Sequence, residues 1–288
     1  MRLALGTVQF GLPYGIANQD GQVTRAAAKA MLRLAAQNGI DLLDTAIAYG
    51  ESEACLGAVG VNGFKLVTKL PPVPAGCGDV RQWVHEQTKA SLSRLGVEAV
   101  YGLLLHCPEQ LLGTEGNVLY QSMQELKETG RVQKTGISIY SPGELDALMP
   151  RFRFDLVQAP FNLVDRRLQT SGWLQRLKRE GVEIHTRSAY LQGLLLMARP
   201  AIPAKFGPWA ELWDKWHEWL DRHDVLPVEA CLAFPLSFPE IDRVVIGADS
   251  VEQLGQTIRA AQTAVPMGLP DLHCKEENLI NPAKWTTL

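Results

Sequence analysis

Cysteine is scarce in this chain and shows no pairing: five residues in 288, Cys55, Cys77, Cys107, Cys231 and Cys274, without a C-x-x-C. An odd count with no repeated spacing argues against a disulfide framework and against a zinc knuckle. A reducing, cytoplasmic setting and no metal site are therefore expected. Long hydrophobic runs are missing too, since nothing approaches the roughly 18 uninterrupted apolar residues of a membrane span. The opening MRLALGTVQFG is too short an apolar stretch, and too rich in Gly, for a secretory leader. Nor is there a surplus of positive charge. Lys and Arg number 28 against 31 Asp and Glu, a formal charge of −3, and no basic cluster interrupts the mixture. That excludes a nucleic-acid binder held by phosphate contacts.

What the chain does have is apolar material, 46% of its residues. A chain of this length can bury about three-quarters of its unfolded surface in a core. Short strand-like runs alternate with longer segments of helical period. The runs are LALGTVQF (3–10), IDLLDTA (40–46), KLVTK (65–69), AVYGLLLH (99–106), KTGISIY (134–140), FDLVQAP (154–160), VEIHTRSAY (182–190) and DRVVIGA (242–248). Between them lie helical patterns such as 24–39, closed by Gly39, and 79–96, 117–132, 168–181 and 250–264. Ser141 is expected to cap a helix with Pro142 at its first position. The runs are apolar on both faces, as buried parallel strands covered by helices must be. No G-x-G-x-x-G follows any of them, which argues against a Rossmann domain. Without a linker or a break in composition, residues 1–288 are read as one α/β domain, a (β/α)8 TIM barrel with its site at the carboxyl ends of the strands. The last 22 or so residues, from about Pro266, read as a surface tail crossing the barrel. A modest charge and no apolar stripe make a monomer the expectation.

Those strand ends carry seven polar groups: Asp44, Tyr49 in the loop just beyond, Lys69, His106, Ser138, Gln158 and Arg187. Each loses hydration there unless it is paired. Taken singly, each has an ordinary explanation: Asp44 as a cap, Tyr49 as a rim aromatic, Lys69 as surface, His106 as a satisfied core histidine. Their coincidence at successive strand ends is what points to a site. A phenol titrates near pH 10, so a tyrosine alone is a poor acid at neutral pH. A neighbouring ammonium stabilises the phenolate, and a carboxylate can hold that ammonium. Lys69 and Asp44 can fill those parts for Tyr49, while His106 orients a substrate oxygen. Such a unit protonates a carbonyl oxygen while hydride reaches the carbon.

The segments LALGTVQFG, DTAIAYGESEACLG, KLVTKL, YGLLLHCP, GISIYS, VQAPFNLVDRR and VVIGADSVEQL, in this order, resemble an aldo-keto reductase over roughly residues 3 to 262. The resemblance implies a barrel that binds NADPH, sometimes NADH, and reduces small-molecule aldehydes or ketones. It places the catalytic tetrad on Asp44, Tyr49, Lys69 and His106, with Tyr49 as general acid. It places Gly6 and Thr7 under the nicotinamide ribose, and Ser138 and Gln158 at the carboxamide, with Ile139 where the family usually has Asn. The family's aromatic partner of the nicotinamide ring falls on Arg187, whose planar cation would stack there or bind an anionic group and would favour the reducing direction. Gly193, in the loop-like stretch leading into Leu194, is counted with the cofactor contacts. Gly247, Ala248, Asp249 and Ser250 open a helix whose free N–H groups suit a phosphate. Asp249 and Gln253 stand where NADPH-preferring members carry Lys or Arg, and Gln256 and Thr257 replace a usual Glu-Asn. Family habit makes NADPH the expectation, with NADH left open.

Two other functions stay in play: a nucleotide-sensing barrel with little turnover, and a lyase using Lys69 as a Schiff base. Trp209, Trp213, Trp216 and Trp219 follow helical spacing and read as one buried face, with Trp209 a possible substrate contact. His217 and His223 are too poorly aligned for a metal pair. Cys107 points away from the face that His106 uses.

Overall fold

A computed structural model of the chain describes residues 1–18, 20–266 and 268–287. Eight strands pair in parallel: β1 (Leu3–Gly6), β2 (Leu42–Asp44), β3 (Lys65–Leu70), β4 (Val100–Leu105), β5 (Val132–Ser138), β6 (Leu156–Pro160), β7 (Glu183–Arg187) and β8 (Arg243–Ile246). They follow chain order, and β8 returns to pair with β1, closing the barrel. Helices α1 (Arg25–Gln37), α2 (Ser52–Val59), α3 (Val80–Leu95), α4 (Gly116–Glu128) and α5 (Gly143–Leu148) fill the connections as far as β6. The next connection holds α6 (Arg167–Thr170) and α7 (Trp173–Arg179), and the one after β7 holds α8 (Ala210–His223) and α9 (Pro227–Leu236). After β8 come α10 (Val251–Ala260) and α11 (Glu277–Ile280). Helix starts follow local chemistry: the side chains of Thr24, Asp79 and Ser250 accept the amides of Ala27, Gln82 and Gln253.

The period-2 alternation of each strand divides it between two apolar environments. Outward residues such as Leu5, Leu43, Leu103, Val157 and Ile246 join the helices in one large core. Inward residues Ala4, Leu42, Val67, Leu104, Leu156 and Val245 form a separate cluster inside the barrel. Two residues further along the same face come Gly6, Asp44, Lys69, His106, Gln158 and Gly247, joined by alternation by Ser138 on β5 and Arg187 on β7. The barrel thus presents one ring of eight inward positions at its carboxyl end.

The amino end is closed by charge instead. Glu183 accepts a hydrogen bond from Tyr101 Oη at 2.6 Å and one from Lys134, and lies 2.7 Å from His185 Nε2. Burial works to raise the Glu183 pKa, but hydrogen bonds from His185, Lys134 and Tyr101 outweigh it and hold the carboxyl well below its usual range.

Several local expectations change. β1 stops at Gly6, and Val8–Phe10 forms a 3-10 turn instead of continuing the strand. Ser141 does not cap α5, which begins at Gly143. Glu144 turns back instead, and its carboxylate accepts the amides of Tyr140 and Ser141 at 2.8 and 2.7 Å. The helix read over 168–181 breaks at Gly172, which adopts a φ of 80°. Beyond residue 265 the chain is pinned, with Leu272, Leu279, Ile280 and Trp285 buried and the Cys274 amide donating to the Val164 carbonyl at 3.0 Å. Of the tail read from Pro266, Met267 and Leu288 lie outside the described residues. Among the described residues no helix is long and apolar enough to cross a membrane.

Candidate active site

Of the charged members of the upper ring, Asp44 and Lys69 are buried, Lys69 at 0% exposure, while Arg187 is partly exposed. Lys69 Nζ donates to Asp44 Oδ1 at 2.6 Å and to the Thr45 carbonyl at 2.9 Å. The other carboxylate oxygen, Asp44 Oδ2, accepts from Gln158 Nε2 at 2.7 Å. Burial alone would lower the lysine pKa. The charge of Asp44, the nearby Tyr49 and the Asp44 hydrogen bond reverse that, leaving it raised.

The turn bearing Tyr49 is held on both sides. Ser52 Oγ donates to the Thr7 carbonyl at 2.7 Å, and Thr7 Oγ1 donates to the Asp44 carbonyl at 3.0 Å. Glu53 is buried and accepts from the hydroxyls of Thr68 and Ser91 at 2.6 Å and from Arg94 Nε at 2.9 Å, tying α2 to β3 and α3. Gly11 presses against this turn, and a Cβ there would lie 1.9 Å from the Tyr49 carbonyl oxygen. The Tyr49 ring centroid lies 5.1 Å from Lys69 Nζ, and the His106 ring meets it edge-on at a centroid distance of 5.8 Å. Burial, together with the cations Lys69 and Arg187, lowers the His106 pKa from 6.5 to about 4.

Tyr49 and His106 open onto a cavity of about 560 Å³ that runs from the barrel mouth to α10. Gly6, Thr7, Asp44, Ser138 and Arg187 line it at the barrel. Gly193, Gly247, Asp249, Gln253, Gln256 and Thr257 line it further along. Two expected contacts do not reach it. Gln158 is fully buried, with its amide spent on Asp44 and on the Ser138 hydroxyl at 3.4 Å, and Ala248 packs into the outer core. Trp209 is also buried and does not line the cavity; it packs near Phe206. Cys107 is likewise absent from the lining, consistent with alternation.

The cavity adds residues that pattern did not single out: Gln9, Tyr14, Asn18, Tyr140 and Gln192. Gln192 Nε2 donates to Tyr14 Oη at 3.0 Å, joining the first and seventh loops across the opening. Gln9 Oε1 is buried in the wall without a hydrogen-bond partner. The Arg187 guanidinium lies 4.8 Å from the Tyr140 ring centroid and donates to the Ile139 carbonyl at 3.0 Å. No described carboxylate forms an ion pair with it. The only sequence signal for Gln9 and Tyr14 is their place in the loop after the first strand.

Comparison with known proteins identifies the family and matches the fold. The model of the "Aldo/keto reductase family" matches residues 2–266. Aflatoxin B1 aldehyde reductase member 2 of Rattus norvegicus is 25% identical over a match covering 90% of this chain and 79% of that protein. Aldo-keto reductase YhdN of Bacillus subtilis is 25% identical over 59% of this chain, and the match spans 53% of that protein, about half its length. The holo form of aldo-keto reductase AKR11C1 from Bacillus halodurans shares the fold, with a TM-score of 0.72 at 21% identity, covering 94% of this chain and 89% of that one. The chain belongs to the aldo/keto reductase family.

Proposed function

We propose that the protein reduces an aldehyde or ketone to the alcohol, with Tyr49 as the proton donor. What carries this reading is the arrangement at the cavity's barrel end: a buried Asp44–Lys69 ion pair behind the Tyr49 ring, with His106 edge-on beside it. A nicotinamide dinucleotide fits the residues present. The cavity reaches from the barrel mouth to α10, with Ser138 in its lining near Tyr49 and His106 and the orphan acceptor Gln9 Oε1 beside Asp249 at the start of α10. Gly6, Thr7, Ser138, Gly193 and Gly247 would hold it, with Arg187 beside the ring. Bound in reduced form, it supplies hydride to the carbonyl carbon.

The side chains do the rest. Tyr49 Oη gives its proton to the carbonyl oxygen as the carbon accepts hydride, so the carbonyl gains two electrons and becomes an alcohol. The Lys69 ammonium stabilises the phenolate left behind, Asp44, itself held by Gln158, keeps that ammonium in place, and water returns the proton. With its pKa near 4, His106 is a neutral imidazole at neutral pH. It can hold the carbonyl oxygen through a ring N–H but has no spare proton to serve as the acid. A Schiff base on Lys69 is less well supported, because its raised pKa and its ion pair keep the amine protonated and non-nucleophilic.

Arg187 favours a polar or anionic carbonyl compound, since its charge faces the cavity without a carboxylate partner among the described residues. The test is consumption of reduced nicotinamide with matched aldehydes that do or do not carry a carboxylate. Turnover is expected. Arg187→Ala should raise KM for the charged members about tenfold or more, since a hydrogen bond to a charged group is worth about 1.5–3 kcal/mol. KM for the neutral members should stay put. Cofactor binding with no turnover of any carbonyl would favour a sensor instead, and an unchanged KM for charged aldehydes would remove Arg187 from substrate recognition.

A further inference from the structure

The cavity end beside α10 carries a carboxylate, Asp249, and no Lys or Arg among its described lining residues. Asp249 Oδ1 accepts from Asn18 Nδ2 at 3.1 Å, and the Asp249 side chain also takes a hydrogen bond from Gln9. Two amides at the start of α10 that could otherwise meet an anion are already used. The Asp249 amide donates to Gln253 Oε1 at 2.8 Å, and the Gln253 amide donates to Ser250 Oγ at 3.2 Å. Gln9 is 8% exposed, and its Oε1 is buried without a partner. It lies against Gly247, where a Cβ would come within 2.5 Å of Gln9 Nε2. A second carboxylate, Asp20, is close enough to raise the Asp249 pKa alongside burial, the larger cause, and no cation figures among the influences on it. The one Lys or Arg among the described lining residues is Arg187, beside Tyr140 at the barrel end.

A 2′-phosphate brings close to two negative charges and acceptor oxygens only, so it would meet a carboxylate, an unsatisfied amide oxygen and no compensating cation. Ribose hydroxyls are neutral and can donate. They match the Asp249 carboxylate and Gln9 Oε1, in the way an acidic side chain selects the ribose diol of NAD in other dinucleotide sites. We propose that Asp249 and Gln9 recognise the adenosine ribose hydroxyls and make this protein select NADH over NADPH, against the habit of its family. The proposal rests on the reductase assignment, which puts the nicotinamide beside Tyr49 and hence the adenosine beside α10.

Calorimetric titration of the full chain with NADH and with NADPH, at one ionic strength, tests it without relying on turnover. Wild type is expected to bind NADH at least about tenfold more tightly, the ratio that about 1.4 kcal/mol produces. Asp249→Asn, nearly isosteric, should close most of that gap by tightening NADPH and weakening NADH. Gln9→Met, which removes the acceptor but no charge, should weaken NADH and leave NADPH unchanged. NADPH binding as tight as NADH in wild type, or a ratio unmoved by Asp249→Asn, would overturn the proposal while leaving the reductase assignment intact. Binding of neither dinucleotide would overturn both.

Discussion

His106 sits partly buried in the cavity wall, under the influence of two cations, Lys69 and Arg187. Its folded pKa of about 4 lies below the ordinary 6.5. Between those values the unfolded chain binds a proton that the native site refuses, so this residue makes stability rise with pH from about 4 to 6.5 and is silent above that window. Denaturant unfolding at pH 7 and pH 5 should therefore show wild type losing more stability on acidification than His106→Gln. Parallel losses would place the imidazole in a wetter or less positive setting. At this scale the sequence was informative where a polar residue ended an apolar strand. Asp44, Lys69 and His106 stood out because burying such a group needs a reason. Gln158 stood out for the same reason, yet its amide serves Asp44 instead of facing the cavity. Gln9, Tyr14 and Tyr140 were not legible, because they sit on loops whose course is set by distant contacts such as Gln192 with Tyr14.

The strands carry a second lesson at their other end. Glu183 opens β7 inside the barrel, where Tyr101 from β4 and Lys134 from β5 converge on it, so one carboxylate ties three strands together. Its lowered folded pKa makes this contribution complete above the ordinary value of 4.5 and progressively lost as pH falls below it. Glu183→Gln should cost about 2 kcal/mol at pH 7, the low side of a broken buried pair because Lys134 stays partly solvated. The deficit should shrink in urea unfolding below pH 4.5. A deficit that is constant with pH would mean the carboxylate contributes shape but not charge. Helices and strands were readable from their periodicity, but their ends were not. Ser141 has the chemistry of a cap, but its hydroxyl takes only a long bond from the Gly143 amide, at 3.4 Å, while Glu144 folds back onto the amides of Tyr140 and Ser141. Gly172 interrupts what periodicity alone joined.

The whole molecule was legible because one unit repeats. Eight buried strands alternating with helices leave few ways to cover both faces of a parallel sheet, and a closed barrel is the solution found here. Closure is also what assembles the site, since Asp44, Lys69, His106 and Gln158 come from four different strands and meet only when the sheet curls shut. The tail escaped that logic. It has no period of its own, and residues such as Leu272 and Trp285 are buried against parts of the chain far away in sequence. The account stands or falls on Tyr49 as the proton donor. The direct test compares wild type and Tyr49→Phe for carbonyl turnover and, in the same preparations, for dinucleotide affinity. Turnover should fall about 10²- to 10⁴-fold, the usual contribution of a positioned acid, with the dissociation constant nearly unchanged. A variant that keeps its turnover would contradict the role assigned to Tyr49.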